Sequence, residues 1–392
     1  MAMAHLYMVH YGEIALKGRN RPDFENQLVR NIKQQHPGCT VRKRRGRLIV
    51  ESEQPLDLSN VLGVAWWSEA VKVPSTLESI VEAALSYSQH DMAQAETFAV
   101  RVKRASKKLE HNSQELEGII GGELDRQHAA HVDLAHPDYL LHVEITSDGA
   151  YLYTDKEHAW RGLPVGVSGK LMGLFSAGID SAVASFLMAK RGADIELIHF
   201  HAFGRAAAAH DAKVGELAGR LSKFIPRLVL HYIPYHHFQI ATAGLSAHQR
   251  QELIVFRRFM ALTAEQLGAE QGVLGLYTGD NLGQVASQTL ENLAAVDDAI
   301  RLPIYRPLIA YDKQEIIDLG IELGLDEAAN LAYKDCCSIV ARHPATRAKL
   351  NQIEAIESAV RIKALVESSL AERVTYVADR DGAWHEIAKA AA

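Results

Sequence analysis

The densest chemistry in the sequence lies in six residues, Ser176-Ala177-Gly178-Ile179-Asp180-Ser181. They follow the apolar run Leu171–Phe175 and precede a helical stretch over Ala182–Arg191. A strand that runs through small residues into a helix turns backbone N–H groups, and the positive end of the helix, toward an anion. Ser176 and Ser181 add hydroxyl donors. Asp180 beside phosphates suits a metal ion or a loop-orienting role. An ordinary strand-to-helix turn would use one Ser or Asp as a cap. It would not need Ser, Gly, Asp and Ser together, and no Gly-Lys-Ser/Thr follows to make a Walker loop.

Two further groups have chemical potential. Lys313, in Tyr311-Asp312-Lys313, sits at a helix start. A cation is unfavourable there, which points to a phosphate or base partner against the plain alternative of an exposed lysine. Cys336 and Cys337 are adjacent. Zinc sites favour Cys-x-x-Cys spacing, so the ordinary reading is a buried pair of small apolar side chains. Nearby Arg342, His343, Arg347 and Lys349 are suited to lowering a thiol pKa or to meeting phosphate. Cys39, beside a Pro-Gly turn, is expected to be incidental.

The elements that hold these groups fall into two textures. The N-terminal part alternates: a strand over residues 4–11, a helix from Arg21 to Gln35 stopped by His36-Pro37-Gly38, then a basic hairpin turning at Gly46. This β-α-β-β order suggests a small ferredoxin-like unit. A second α+β unit has strands over Thr97–Lys103, Tyr139–Thr146 and Gly149–Asp155, with a helix over Ser113–His128. The Gly- and Pro-rich segment Trp160–Lys170 reads as a linker. Beyond it, short apolar runs at Leu171–Phe175, Ile195–Phe200, Leu228–Ile233 and Val273–Tyr277 alternate with helices over Ala182–Arg191, Ala212–Lys223 and Gln249–Gln266. Buried strands alternating with helices make a doubly wound parallel sheet, the α/β class.

At 392 residues the chain calls for two or three domains. Its 48% hydrophobic and 23% charged content is that of a globular protein. No apolar run approaches the roughly 20 residues that span a bilayer, and the N-terminus lacks the pattern of a secretory signal. Three cysteines do not make a disulfide framework. The expectation is a cytoplasmic protein with no membrane partner. A net charge of -6 excludes a protein that is basic all over. It leaves room for local basic faces, and two occur: Arg42, Lys43, Arg44, Arg45 and Arg47, then Arg101, Lys103, Arg104, Lys107 and Lys108. One such cluster is usually a solvated loop. Two in the N-terminal third shift the reading toward a polyanion.

Ser-x-Gly-x-Asp-Ser resembles the PP-loop of ATP pyrophosphatases, which cleave ATP to AMP and pyrophosphate. Other segments narrow the resemblance. The runs from Tyr11-Gly12-Glu13 to Asn20, Gly162-Leu163-Pro164-Val165-Gly166, Thr278-Gly279-Asp280-Asn281 through Thr289, and Arg306-Pro307-Leu308-Ile309 with Asp312-Lys313 are similar, in order, to the tRNA 4-thiouridine synthetase (ThiI-type tRNA sulfurtransferase) family. The resemblance spans nearly the whole chain and is to the short form, without the C-terminal rhodanese domain. It implies a ferredoxin-like domain over 1–57, a THUMP RNA-binding domain over 58–168 and a PP-loop domain over 169–392.

The resemblance also implies the activity: adenylation of uridine 8 of tRNA at its C4 oxygen, then transfer of persulfide sulfur, with thiamine thiazole as a second destination. ATP and Mg²⁺ would be the cofactors. The partners would be tRNA, a cysteine desulfurase or other persulfide donor, and a second copy of the chain in a homodimer. ATP contacts would fall on Leu174, Phe175, Ser176, Gly178, Asp180, Ser181, His199, Phe200, Arg257, Gly279 and Gln288. Asp180 and Lys313 would act in adenylation. Counting forward from Lys313 favours Cys336 as the sulfur-handling residue, counting back from His343-Pro344 favours Cys337, and both stay open. The tRNA contacts would be Lys43, Arg44, Arg45, Arg101, Lys103, Arg104, Lys107, Lys108 and Arg347.

The chain departs from the family at Ala177, where a glycine is usual, at Ala182, where a proline is usual, and across Arg205–Asp211, which is richer in alanine. Longer members carry their persulfide cysteine in the rhodanese domain, so the sulfur route is open here. The competing readings are a PP-loop ATPase acting on another RNA base or a small amide, a thiamine-pathway sulfur carrier, and a non-catalytic THUMP RNA-binding protein. Retention of Asp180, Lys313 and a cysteine argues against the last.

Overall fold

A computed structural model of the chain describes residues 5–105, 109–202, 204–244, 250–333, 345–379 and 382–387. Lys107, Lys108, Cys336 and Cys337 lie outside the described residues, as do Arg342 and His343. The chain forms two compact units, Met1–Arg161 and Gly162–Ala392.

The first unit holds two sheets. β1 (His5–Tyr11), α1 (Arg21–Gln35), β2 (Thr40–Arg44), β3 (Arg47–Ser52) and β4 (Val64–Glu69) begin it, and β10 (Glu157–His158) returns to it at the end. The strand order is β10-β4-β1-β3-β2, antiparallel throughout. Gly46 makes the β2–β3 turn at φ +78°, a conformation in which a Cβ is costly. Leu28 and Ile32 of α1 pack with Val9, Leu48 and Val50 in the first core.

β5 (Val71–Val73), α2 (Leu77–Ser88), β6 (Thr97–Arg104), α3 (Ser113–Gln127), β7 (His131–Val132), β8 (Tyr139–Thr146) and β9 (Gly149–Tyr153) form the second sheet, ordered β5-β9-β8-β6-β7. Its helices start where the sequence caps them. Thr76 accepts from Ser79 N–H, and Asn112 makes a reciprocal capping box with Glu115. Ile80, Leu116, Ile120 and Leu124 seal the core against Val100, Leu141 and Val143.

The second unit is built on a seven-stranded sheet. Its strands are β11 (Lys170–Leu174), β12 (Asp194–His201), β13 (Leu228–Pro234), β14 (Leu276–Thr278), β15 (Ile304–Tyr305), β16 (Val374–Ala378) and β17 (Trp384–Ile387). The order is β15-β14-β11-β12-β13-β16-β17. The first five pair in parallel, and β16 and β17 add antiparallel edge strands that the sequence reading did not include.

The helices of this unit are α4 (Ile179–Lys190), α5 (Ala206–Ala209), α6 (Gly215–Leu221), α7 (His236–Thr242), α8 (Glu252–Gln271), α9 (Leu290–Asp297), α10 (Lys313–Glu322), α11 (Asp326–Ala329), α12 (Leu350–Val360) and α13 (Ile362–Ala371). α8 ends at Gly272 in the left-handed conformation, φ +68°. It is buried along most of its length, Arg257 and Arg258 included, which is how a helix without a polar face is placed.

Two local expectations change. The Gly-rich segment before β11 is packed: Leu163 N–H donates to Lys190 O, and Leu163 and Val165 are buried. The strand expected at Val273–Tyr277 begins at Leu276, because Gly272 and Gly275 delay the extended run.

Candidate functional site

The loop Ser176–Ser181 lies at the C-terminal end of β11, in the centre of the parallel strands, where nucleotides bind in such sheets. Gly178 is the N-cap of α4, and Asp180 lies in its first turn. The N–H groups of Ile179, Asp180 and Ser181 have no acceptor within the helix and face outward at its positive end. The loop holds itself in shape. Ser176 Oγ accepts from Gly178 N–H at 3.3 Å, and Ser181 Oγ donates to Gly178 O at 2.8 Å. Ala177 adopts φ +62° and is buried. The Cβ that separates it from the usual glycine therefore does not abolish the left-handed turn; the turn is made with a strained alanine, at a cost of about 1–2 kcal/mol.

Gly279 serves the loop more than the ligand. A Cβ there would stand 2.7 Å from Asp180 C and Ser181 N. The close backbone approach that glycine permits is made to the phosphate loop itself. Gly173 has a matching role, because a Cβ would meet the Tyr277 ring at 2.1 Å. Tyr277 OH then donates to Ser185 Oγ at 3.0 Å, which ties β14 to α4.

Asp180 and Lys313 meet. Lys313 Nζ is 2.5 Å from Asp180 Oδ1, and Gln284 Nε2 donates to Asp180 Oδ2 at 3.0 Å. Lys313 opens α10, capped by Asp312 in a capping box with Glu315. Helix α10 sits tightly on α4: a Cβ at Gly320 would meet Ile179 Cδ1 at 2.4 Å. The loop before α10 is pinned by Asn281, whose Nδ2 donates to Leu308 O and Tyr311 O. A cation at a helix N-terminus is thus explained by a carboxylate partner at the phosphate loop, and both remain partly open to solvent.

Beside the loop, Leu174, Phe175, Phe200, Met260, Gly279 and Gln288 help line a pocket enclosing about 820 Å³ of atom-free space, its mouth included. Its floor is charged and buried. Arg257 Nη2 donates to both oxygens of Asp280 at 2.6 Å, and Nη1 donates to Ser287 O at 3.1 Å. Thr278 Oγ1 and Gln288 Nε2 also donate to Asp280, at 2.8 and 3.2 Å. Burial alone would raise the Asp280 pKa. Arg257 first, then Thr278 and Arg306, hold it below the usual carboxylate range. Gln288 Oε1 is buried without a partner among the described residues, which leaves an acceptor at the pocket wall.

Of the expected ATP contacts, Gly178 and His199 do not line the pocket, and His199 is held away from it by its own partners. Its Nδ1 is 2.7 Å from Phe175 O and its Nε2 is 2.7 Å from Tyr333 Oη. Burial lowers its pKa to about 4, so the ring is neutral at physiological pH. It is a satisfied buried histidine that steadies the strand end supporting the loop.

Comparison with known proteins fits this geometry. Residues 166–362 match the family model described as thiamine biosynthesis protein (ThiI). Residues 6–68 match the ThiI ferredoxin-like domain, and residues 74–155 match the THUMP domain. A probable tRNA sulfurtransferase from Acetivibrio thermocellus is 35% identical, covering 97% of this chain and all of that protein. The chain belongs to the ThiI family. Another relative, a probable tRNA sulfurtransferase from Caldanaerobacter subterraneus, is 38% identical over 90% of this chain and 94% of its own length. The crystal structure of a 4-thiouridine synthetase in complex with RNA and with bound ATP superimposes with a TM-score of 0.87 at 32% identity, covering 96% of this chain and all of that one. PH1313 from Pyrococcus horikoshii matches with a TM-score of 0.65 at 26% identity, covering 82% of this chain.

In this ThiI-family chain the basic residues of the first unit divide by role. Arg47 is buried and pairs with Glu144, joining the two sheets; it leaves the basic cluster. Arg44 pairs with Asp148 at 2.8 Å, and Lys43 Nζ donates to Asn26 Oδ1 at 2.6 Å. Arg101 and Arg104 brace loops through Leu134 O and Leu109 O. Arg45 and Lys103 remain exposed. In the second unit, Arg347 is exposed, with Nε 3.3 Å from Glu291.

The sequence reading missed an aromatic cluster in the first unit. His10 stacks on Trp66 at 3.9 Å, His142 stacks on Tyr153 at 5.0 Å, and Lys156 Nζ lies 5.3 Å from the Trp66 ring centroid. It also missed Asp280 as the organiser of the pocket floor and Asn281 as the pin of the loop before α10. Polar residues directly after a buried strand were the available signal.

Proposed function

We propose that this chain is an ATP-dependent tRNA sulfurtransferase that makes 4-thiouridine at tRNA position 8. The observation that carries the reading is the Asp180–Lys313 pair at the mouth of a phosphate loop, beside a pocket at the C-terminal ends of the parallel strands. The chain that holds them matches a 4-thiouridine synthetase over 96% of its length.

The uridine C4 oxygen is a poor leaving group. In the proposed reaction it attacks the α-phosphorus of ATP, the bond to the β-phosphate breaks, and pyrophosphate leaves. Persulfide sulfur then attacks C4, the C4–O bond breaks with loss of AMP, and the S–S bond is cleaved by a second thiol to leave a disulfide that an external thiol must reduce. The first-turn N–H groups of α4, with Ser176 and Ser181, would hold phosphate oxygens. Lys313 would stabilise charge developing on the phosphates, positioned by Asp180. Leu174, Phe175, Phe200 and Gln288 would hold the nucleoside, and Arg257 would keep the pocket floor in shape from below. Asp180 would be a carboxylate able to hold Mg²⁺ together with substrate phosphates, where the ion would neutralise phosphate charge.

Cys336 and Cys337 are our candidates for the sulfur-handling thiols, one carrying or receiving sulfur and the other resolving it. A cysteine desulfurase or another persulfide donor would load them. Arg45 and Lys103 give the first unit exposed positive charge of the kind that RNA recognition uses. The working form would be a cytoplasmic homodimer, which light scattering of the purified chain tests. Sulfur supply to the thiamine thiazole is a second role that the family description favours.

The reading is tested with purified protein, ATP, a persulfide donor and a tRNA transcript carrying uridine 8. Pyrophosphate release should require tRNA, and the near-ultraviolet absorbance of 4-thiouridine should appear in the RNA. Pyrophosphate release driven equally by a transcript lacking uridine 8 would point to another base.

A further inference from the structure

The opposite flank of the sheet brings together side chains that adenylation and sulfur transfer do not use. β16 runs antiparallel to β13 with Val374 opposite Tyr232. That register carries the chain forward from Pro234 to His236 and His237, the first residues of α7, and backward from Val374 to Glu372, just past α13. The two imidazoles and the carboxylate converge. His237 Nε2 is 2.8 Å from Glu372 Oε1, and His236 Nε2 is 3.8 Å from Glu372 Oε2. The two rings lie 4.0 Å apart. One ligand atom from each residue can be chosen so that all lie within 4.8 Å of one another.

We propose that His236, His237 and Glu372 form a binding site for a borderline divalent transition metal of the Zn²⁺ class. Zn–N and Zn–O bonds of about 2.0–2.2 Å put the ligand atoms of a tetrahedral site roughly 3.3–3.5 Å apart. The separations of 2.8 and 3.8 Å bracket that spacing, so small side-chain rotations suffice. Two imidazoles and a carboxylate make a donor set that suits zinc over the hard cations, which want oxygen alone.

An ordinary surface ion pair would need one histidine. Here each imidazole faces a different oxygen of the same carboxylate. The neighbouring cation is engaged elsewhere, with Arg373 Nη2 2.9 Å from Glu270. His236 and Glu372 also line a polar pocket that includes His201 and Tyr376. It leaves a fourth position open to water or a small anion. The metal would clip the start of α7 to the end of α13, residues 135 apart in sequence, and so close a long loop in the folded state.

The test is a Co²⁺ titration of the full-length chain after chelation, read by visible absorbance. One equivalent should bind with ligand-field bands of a nitrogen and oxygen site and no thiolate-to-cobalt charge transfer. C336S/C337S should bind unchanged. H236Q/H237Q should weaken binding by more than the roughly 10–100-fold that losing an outer-shell partner costs. E372Q, at a more exposed position, should do the same and covers the case in which the histidine variant does not fold. Zn²⁺ should raise the thermal midpoint of the wild-type chain and leave that of E372Q unchanged. A thiolate band, or Co²⁺ binding unaffected by E372Q, overturns the site. So does an absence of binding by the wild-type chain.

Discussion

Arg257→Met is the most informative perturbation of the pocket floor. Arg257 is 8% exposed and Asp280 5%. The substitution removes two contacts of 2.6 Å from a buried carboxylate. Breaking one partner out of a buried ion pair costs about 3–5 kcal/mol, because the remaining charge is stranded. Asp280 keeps Thr278 at 2.8 Å, Gln288 at 3.2 Å and Arg306 at 3.5 Å. These place the expected loss near the lower end, about 3 kcal/mol at neutral pH.

The sign with pH is distinctive. In the wild type the Asp280 pKa is depressed, so its contribution is present above the unfolded value near 3.9 and is lost as pH falls through the folded value. Without Arg257, burial is opposed only by the weaker partners and raises the folded pKa. Protonation then relieves the variant as pH falls from 7 toward 4, and its deficit shrinks. Native-state hydrogen exchange of the α8 amides reads this unit by itself. R257M/D280N should recover at least about 1 kcal/mol relative to R257M. A loss under about 1 kcal/mol, additive single changes or a deficit that does not vary with pH would refute the reasoning.

Three other expectations follow from the same structure. Ala177→Gly relieves about 1–2 kcal/mol of left-handed strain, loses a buried methyl worth about 0.8 kcal/mol and frees the unfolded chain by about 0.4–1 kcal/mol. The sum lies within about 1 kcal/mol of zero, whereas A177V should lose about 2 kcal/mol or more; thermal unfolding that tolerates valine would contradict the φ of +62°. Lys313→Met should lower tRNA-dependent pyrophosphate release by roughly 10²–10³-fold while stability moves within about 0.5 kcal/mol, since Lys313 is half exposed; near-normal turnover would remove it from the chemistry. His199, held neutral with a pKa of about 4, favours the unfolded chain as pH falls from about 6.5, where an unfolded histidine protonates, to about 4. Stability should fall there by up to about 1.4 kcal/mol per pH unit, and H199N should flatten that slope, as unfolding measured across pH would show.

The phosphate loop was legible because its chemistry is local: a strand, small residues, two hydroxyls and a helix start within one short segment. Lys313 was legible for a similar reason, since a cation at a helix N-terminus conflicts with the dipole and needs a partner. That partner lies 133 residues away in Asp180, and no spacing rule could supply it. Arg257 and Arg258 stand side by side in a helical stretch, where charge usually marks solvent. The structure buries both, against Asp280 and against Glu357 at 2.6 Å. Arg47 deceived in the same direction: its basic neighbours concealed a single buried pairing with Glu144. The antiparallel edge strands went unread because β16 is only half buried and lies after two helices. Its identity as a strand comes from pairing with β13, not from its own pattern.

The central claim, thiolation of tRNA through ATP at the Asp180–Lys313 site, is tested most directly by nucleoside mass spectrometry of tRNA. The tRNA comes from cells lacking the gene and complemented with wild type, K313M or C336A/C337A. The account predicts that 4-thiouridine disappears on deletion and returns only with the wild-type chain. Undiminished 4-thiouridine in the deletion strain, or its full return with K313M, would contradict it.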